Sequence, residues 1–145
     1  MPFTDEQIQR LTRSFQLMEP QLDALVSVFY RRLFDAAPQV RDLFSDDLKS
    51  QKEHMTAALL LVAKNIHDLE FLRLPLQRMG ATHVGYGAEQ QHYPVVRDAM
   101  VGALGEVAGY TWTQALADDW STALDTVAGF MIEGARQADA TTKAA

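Results

Sequence analysis

The chain has 145 residues, 48% hydrophobic and 22% charged, the balance of a soluble globular protein with room for one sizeable core. A net charge of −6 and a pI of about 5.1, with no run of lysine or arginine, argue against a nucleic-acid partner. The absence of cysteine excludes disulfides, thiolate metal sites and cysteine nucleophiles.

The first ten residues, MPFTDEQIQR, lack the basic and then apolar plan of a signal peptide. The longest apolar run, AALLLVA over 57–63, is too short to span a bilayer. A soluble, cytoplasmic protein without a membrane span is expected. It reads as one domain over 1–145, with its core at about 4–135 and a flexible tail over 138–145.

The dominant period is helical. Ile8, Leu11, Phe15 and Met18 share a face of the first helix, which Thr4 and Gln7 start as a capping box. Pro20 opens a second helix carrying Leu22, Leu25, Val26, Phe29, Leu33 and Phe34. Ala36-Ala37-Pro38 ends it, because proline disfavours helical geometry in the residue before it. A short segment runs on to Leu43-Phe44.

The spacing of Met55, Leu59, Val62 and Ile66 predicts a helix from about Ser50 to Asp68. Leu72, Leu76, Met79 and His83 predict another over 71–83, with Pro75 tolerated in its first turn and Gly85 and Gly87 ending it. Two longer helices follow at about 90–108 and 113–137. No alternating strand pattern or internal repeat is present, so an all-α domain of about seven helical segments is expected.

The four histidines, His54, His67, His83 and His92, include no pair at the three- or four-residue spacing of a zinc-hydrolase helix. Without strands there is no strand-borne phosphate loop. His83 differs in continuing an apolar stripe, so its ring points inward. It is either a buried histidine bonded to a carbonyl or an axial iron ligand in a flat apolar cofactor.

The helix pattern, the Pro38–Phe44 segment and HVGYG followed by HYPVV resemble the globins. They resemble in particular the bacterial single-domain globins and the haem domain of flavohaemoglobins, over about residues 4 to 135. The resemblance implies a globin fold, a three-over-three helical sandwich enclosing one haem b (iron protoporphyrin IX). It implies His83 as the proximal ligand to iron, and Phe44 as the phenylalanine that wedges against the haem plane.

On the distal side it implies Tyr30, in VFYRRLF, and Gln51, 32 residues before His83, as donors to a bound gas. A shift of three would instead set His54 over the iron. With Gln51 in register, Met55 lies against the ligand one turn later and His54 sits near the pocket mouth, within reach of a haem propionate or simply exposed. Met79 and Val96 complete the walls, and Tyr86 packs near the haem edge.

Tyr93, ten residues after His83, matches a tyrosine that helps a glutamate orient the proximal histidine; a helix-capping role is its alternative. The place of that glutamate falls on Ala135, with Glu133 the nearest carboxylate.

Oxygen on ferrous iron gains negative charge, which preorganised donors stabilise well in a dry pocket. The resemblance therefore implies binding of O2, CO and NO, with high oxygen affinity and nitric oxide detoxification as the role. A separate reductase would supply electrons. Non-catalytic oxygen storage, delivery or gas sensing is the alternative, and a haem-free helical interaction domain the more distant one. The oligomeric state is left open, a homodimer included.

Overall fold

Thr4 starts the first helix as its spacing predicts. Its hydroxyl accepts from the Gln7 backbone N–H at 3.2 Å, while the Gln7 side chain accepts from the Thr4 N–H at 2.8 Å, satisfying two otherwise orphaned donors. The computed structural model describes residues 3–144, with side chains through residue 140. Six α-helices make up the fold: α1 Asp5–Met18, α2 Leu22–Ala36, α3 Lys49–Lys64, α4 Arg73–Gly85, α5 His92–Ala108 and α6 Gln114–Ala144. Short 3₁₀ turns join several of them, and no strand occurs among the described residues. Residue 145 and the side chains of 141–144, part of the tail expected to be flexible, lie outside the description; the backbone up to residue 144 continues α6.

The break at Ala36-Ala37-Pro38 falls where expected. Ala37 leaves helical geometry (φ −141, ψ 74) and Pro38 begins a 3₁₀ turn to Leu43. Pro20 behaves differently from the expectation, closing into a turn Glu19–Gln21 before α2 begins at Leu22.

The helix expected over 50–68 stops at Lys64. Residues Ile66–Leu72 form a 3₁₀ segment interrupted at Asp68 (φ −155, ψ 75). Ile66, Leu69 and Leu72 are all buried there, and beyond the break Leu69 and Leu72 keep the three-residue spacing that a 3₁₀ helix stacks on a single side. That spacing was readable in the sequence, but the continuing stripe from Val62 to Ile66 masked it.

Packing is dominated by α4 along α6 and α2 across α5, with further contacts between α5 and α6. The α4–α6 crossing is close because two glycines meet backbones. A methyl group at Gly80 would fall on the Met131 main chain, and one at Gly134 on that of Gln77. At the other end of the molecule α1 is tied to α6 through buried Asp119, which accepts from Arg10 Nε at 2.9 Å and Gln7 Nε2 at 3.2 Å. A buried carboxylate needs such partners. Trp120, also buried, donates from its indole N–H to Ser14 Oγ at 3.2 Å.

By contrast α3 and α4 share no extended interface. The helices bearing Gln51 and His83 are therefore held by other parts of the fold and not by each other.

Candidate functional site

His83 lies on the last turn of α4, half-buried. Its Nδ1 is 2.7 Å from the carbonyl oxygen of Met79, one turn earlier. A carbonyl only accepts, so Nδ1 carries the proton and, in the neutral imidazole, Nε2 keeps its lone pair. The ring is thereby fixed in one tautomer with one coordinating nitrogen, as a metal-binding histidine requires. Among the described residues no three His, Asp or Glu side chains gather as a metal cage.

After His83 the chain turns sharply. Gly87 adopts φ +89, a conformation that L side chains rarely take. A Cβ there would also meet Leu43 Cδ2 at 3.1 Å, so this turn touches the segment after α2. Tyr86 stands edge-on to the His83 ring, with centroids 5.7 Å apart and planes at 71°. His92 is half-buried, and its Nδ1 accepts from the Glu89 backbone N–H at 3.0 Å, closing the turn into α5.

On the other side, α2 and the start of α3 assemble an aromatic cluster. Tyr30 is only 4% exposed and packs against Phe29, Phe34 and Phe44, with the Phe44 ring 5.8 Å away and nearly perpendicular. Its hydroxyl donates to the Gln51 carbonyl oxygen at 3.2 Å. Burial pushes the phenol up to about 12, so the group stays protonated and remains a donor. The bond is longer than the usual O–H···O separation of about 2.7–2.8 Å, so a better acceptor can compete for it.

The structure thus brings Tyr30, Phe44 and Gln51 into direct association, and separately His83, Met79 and Tyr86. The Leu43–Gly87 contact links the two groups. Met55, Met79, Tyr93 and Val96 are half-buried apolar-bodied side chains packed against the core, and burial raises the Tyr93 phenol. His54 is exposed.

The place expected for a proximal glutamate is settled differently by the packing. Both Glu133 oxygens are taken by Arg73 Nη1, at 2.7 and 2.6 Å, and Gln77 Nε2 adds 2.8 Å to one of them. Hydrogen bonds from Arg73 first and Gln77 second hold the Glu133 carboxyl below the usual range. Glu133 fastens the start of α4 to α6 rather than reaching His83.

The residues that sequence reasoning missed belong to this clamp: Gly80, Gly134, Arg73 and Gln77. A glycine inside a helical stripe costs about 1 kcal/mol relative to alanine, which is the signal that marks Gly80 and Gly134 as packing positions.

These elements fit a flat apolar cofactor held by one histidine. A coordinating nitrogen is fixed by the Met79 carbonyl, aromatic side chains cluster around Tyr30, and α3 and α4 share no extended interface. Leu43, Val84 and Tyr86, near His83 in the chain or the fold, are large apolar groups left exposed to solvent by the protein alone.

Comparison with known proteins identifies the family. The globin family model matches residues 27–131, and the chain belongs to the globin family. Within it, the chain resembles the haem domain of flavohaemoglobins: it is 34% identical over 125 residues to a flavohemoprotein of Chromobacterium violaceum, covering 81% of this chain and 30% of that protein. It is also 25% identical over 144 residues to an anaerobic nitrite reductase of Oryza sativa subsp. indica, covering 95% of this chain and 99% of the relative.

Among solved structures it is similar to a bacterial globin from Campylobacter jejuni, with a TM-score of 0.81 and 27% identity over 92% of this chain and 97% of that one. It is similar as well to an engineered carbene transferase described as a nitric oxide dioxygenase of Rhodothermus marinus. There the TM-score is 0.86 and the identity 26%, over 97% of this chain and 99% of that one. Membership of the family implies a haem cofactor and haem-based binding of diatomic gases. No helix among the described residues is long and apolar enough to cross a membrane.

Proposed function

We propose that the protein binds haem b through His83 and holds oxygen under Tyr30 and Gln51 with high affinity, and that its role is conversion of nitric oxide to nitrate. The observation that carries this reading is the pairing of a tautomer-locked His83 with a buried, protonated Tyr30 whose hydroxyl has only a long internal hydrogen bond. Haem b is preferred to a covalently attached haem because the sequence has no cysteine to form a thioether. When bound, haem supplies the iron at which oxygen, carbon monoxide or nitric oxide is held.

The remaining work falls to the protein. His83 would present Nε2 to the iron, and the Met79 carbonyl that accepts from its Nδ1–H fixes the ring's tautomer and orientation. Phe44, Met55, Met79 and Val96 supply apolar walls that keep the site dry, and a dry site strengthens every hydrogen bond made to developing charge. With the cofactor bound, the Tyr30 hydroxyl would be free to exchange the Gln51 carbonyl for a more negatively charged acceptor. Gln51 is the second donor. Tyr86 would pack at the edge of the cofactor, Tyr93 would support its α5 side, and the exposed His54 would stand at the mouth.

One nitric oxide, one dioxygen and one electron give one nitrate, so every turnover consumes an electron. A separate reductase in the cytoplasm would supply it. The nitric oxide dioxygenase description of the Rhodothermus relative supports this role.

Oxygen dissociation tests the proposal. A hydrogen bond to a charged acceptor contributes about 1.5–3 kcal/mol. Tyr30→Phe therefore raises the oxygen off-rate by about tenfold or more, since about 1.4 kcal/mol is a factor of ten. An off-rate that is fast in the parent protein and unchanged in Tyr30→Phe would sink the high-affinity reading. A stable oxygen complex that forms no nitrate with nitric oxide and a reductant would favour storage or sensing instead.

A further inference from the structure

We infer that Arg41 is a positioning residue of the ligand side: its guanidinium fixes the segment between Leu43 and α3, and through it the places of Phe44 and Gln51 beside Tyr30. The geometry belongs to the protein alone. Its consequence for a bound gas rests on the haem reading above.

Between the 3₁₀ turn that ends at Leu43 and α3, which begins at Lys49, no helix holds the chain. A guanidinium carries five donors in a rigid planar fork, so one side chain can serve several acceptors at once. Arg41 is used in that way. Its Nη1 donates to the Ser45 carbonyl at 2.9 Å, with the Phe44 carbonyl at 3.4 Å, and its Nη2 donates to the Asp46 carbonyl at 3.1 Å. The same guanidinium lies over the Phe34 ring, 5.0 Å from its centroid, a favourable place for a cation. Phe34 in turn packs edge-on against Phe44 at 5.4 Å and against Tyr30 at 5.9 Å. Arg41 therefore grips the main chain of three consecutive residues on one side and the aromatic cluster on the other.

The grip continues into α3. The Ser45 hydroxyl donates to the Asp47 carbonyl at 2.6 Å, and Asp47 Oδ1 accepts from the Lys49 backbone N–H at 3.0 Å. Leu48, at the N-cap position, supplies no side-chain bond of its own, so the first turn of α3 leans on these contacts. Packing against α2 is interrupted there by a groove of about 410 Å³, lined among others by Val26, Ser27, Leu48, Lys52 and Thr56. Gln51 sits in that first turn, and its carbonyl accepts from the Tyr30 hydroxyl. The main chain is thus held by Arg41, while the Tyr30 hydroxyl keeps its freedom to turn.

A donor stabilises developing charge best when it is already in place. Without Arg41 the 44–48 segment gains freedom, the start of α3 loses its fixed register, and the hydrogen bond that Gln51 would give to a bound gas weakens.

The test uses the whole chain loaded with haem, checked by its visible spectrum, as parent, Arg41→Ala and Arg41→Lys proteins. Amide hydrogen exchange over residues 44–52, followed by mass spectrometry on the carbon monoxide complex, should quicken several-fold in Arg41→Ala and stay unchanged in α1 and α6. The oxygen off-rate should rise by about two- to tenfold, the range that one neutral hydrogen bond carries. Arg41→Lys keeps the charge and loses the fork, so it should show both effects at smaller size, and it serves where the alanine protein does not fold. In a Gln51→Ala background Arg41→Ala should change the off-rate by less than about twofold, because the donor it positions is already gone. Unchanged exchange in Arg41→Ala overturns the inference. Faster exchange with an unchanged off-rate also overturns it, since Arg41 would then be a structural staple alone, as does a rise that persists in full after Gln51→Ala. A chain that takes up no haem fails at the spectrum and overturns the haem reading as well; exchange is still measurable on that chain, so the two failures are told apart.

Discussion

On the side of His83, α4 lies so close to α6 that Gly80 and Gly134 meet main chain, and Arg73, Gln77 and Glu133 fasten the same pair of helices by charge-assisted hydrogen bonds. On the side of Tyr30 and Gln51, α2 meets α3 through rings and one 3.2 Å hydrogen bond. The first side is built of backbone that cannot yield, the second of side chains that can turn. A histidine that holds iron needs a fixed position, and donors that serve an arriving gas need to trade one partner for another. Under the proposed haem reading, the difference would put rigidity on the metal side and adaptability on the ligand side.

The largest effect should come from breaking the rigid side. Gly80→Val or Gly134→Val sets a branched side chain against the neighbouring helix backbone, which has no side chain to move aside. A loss on the order of 3 kcal/mol in denaturant unfolding is expected, the upper end of the overpacking range. A loss below ~1 kcal/mol would show that α4 slides on α6 and that the contrast is false.

Gly87→Ala, where the two sides touch, should cost about 1–2 kcal/mol because a side chain must adopt φ +89. It should also speed haem loss, measured by transfer to an acceptor protein, because the turn after His83 shifts against Leu43.

Tyr30→Phe should change stability by less than about 1 kcal/mol, since it removes one long hydrogen bond and keeps the ring. Its marked effect belongs to oxygen release, so unfolding measured beside the off-rate separates the two.

Within the neutral range the effects of titration should be the smallest of all, and they emerge only toward the extremes of pH. The folded Tyr30 phenol titrates at about 12 and the unfolded one near 10, so its contribution is full below pH ~10 and lost as pH rises toward about 12. Glu133 is held low by Arg73 and Gln77, so its contribution is present above the usual carboxylate range and fades as pH falls through its lowered value. Tyr30→Phe should reduce the alkaline loss, leaving the part that belongs to Tyr93, and Glu133→Gln should reduce the acid one, in unfolding curves measured across pH.

Much of the helix plan was legible from local signals. The Thr4–Gln7 capping box, the stop before Pro38, and Pro75 within the first turn of α4 each depend on residues no more than a few positions apart. The segment after Lys64 was misread because its 3₁₀ spacing merges with the helical stripe before it, and only packing of Ile66, Leu69 and Leu72 separates the two. Tyr30, Phe44, Gln51 and His83 were visible as an ordered set through their family resemblance, yet nothing in their spacing says which atom faces which.

Helical period, caps and chain breaks were decided locally, because backbone geometry and hydrogen bonding act over one turn. Partner choice was decided by the tertiary structure. Glu133 stands 60 residues from Arg73, and Gly134 meets Gln77 across the α4–α6 crossing. Tyr30 reaches Gln51 through a main-chain oxygen that no side-chain pattern announces. Those pairings depend on how close two helices come and at what rotation, and a period of 3.6 residues carries no record of either.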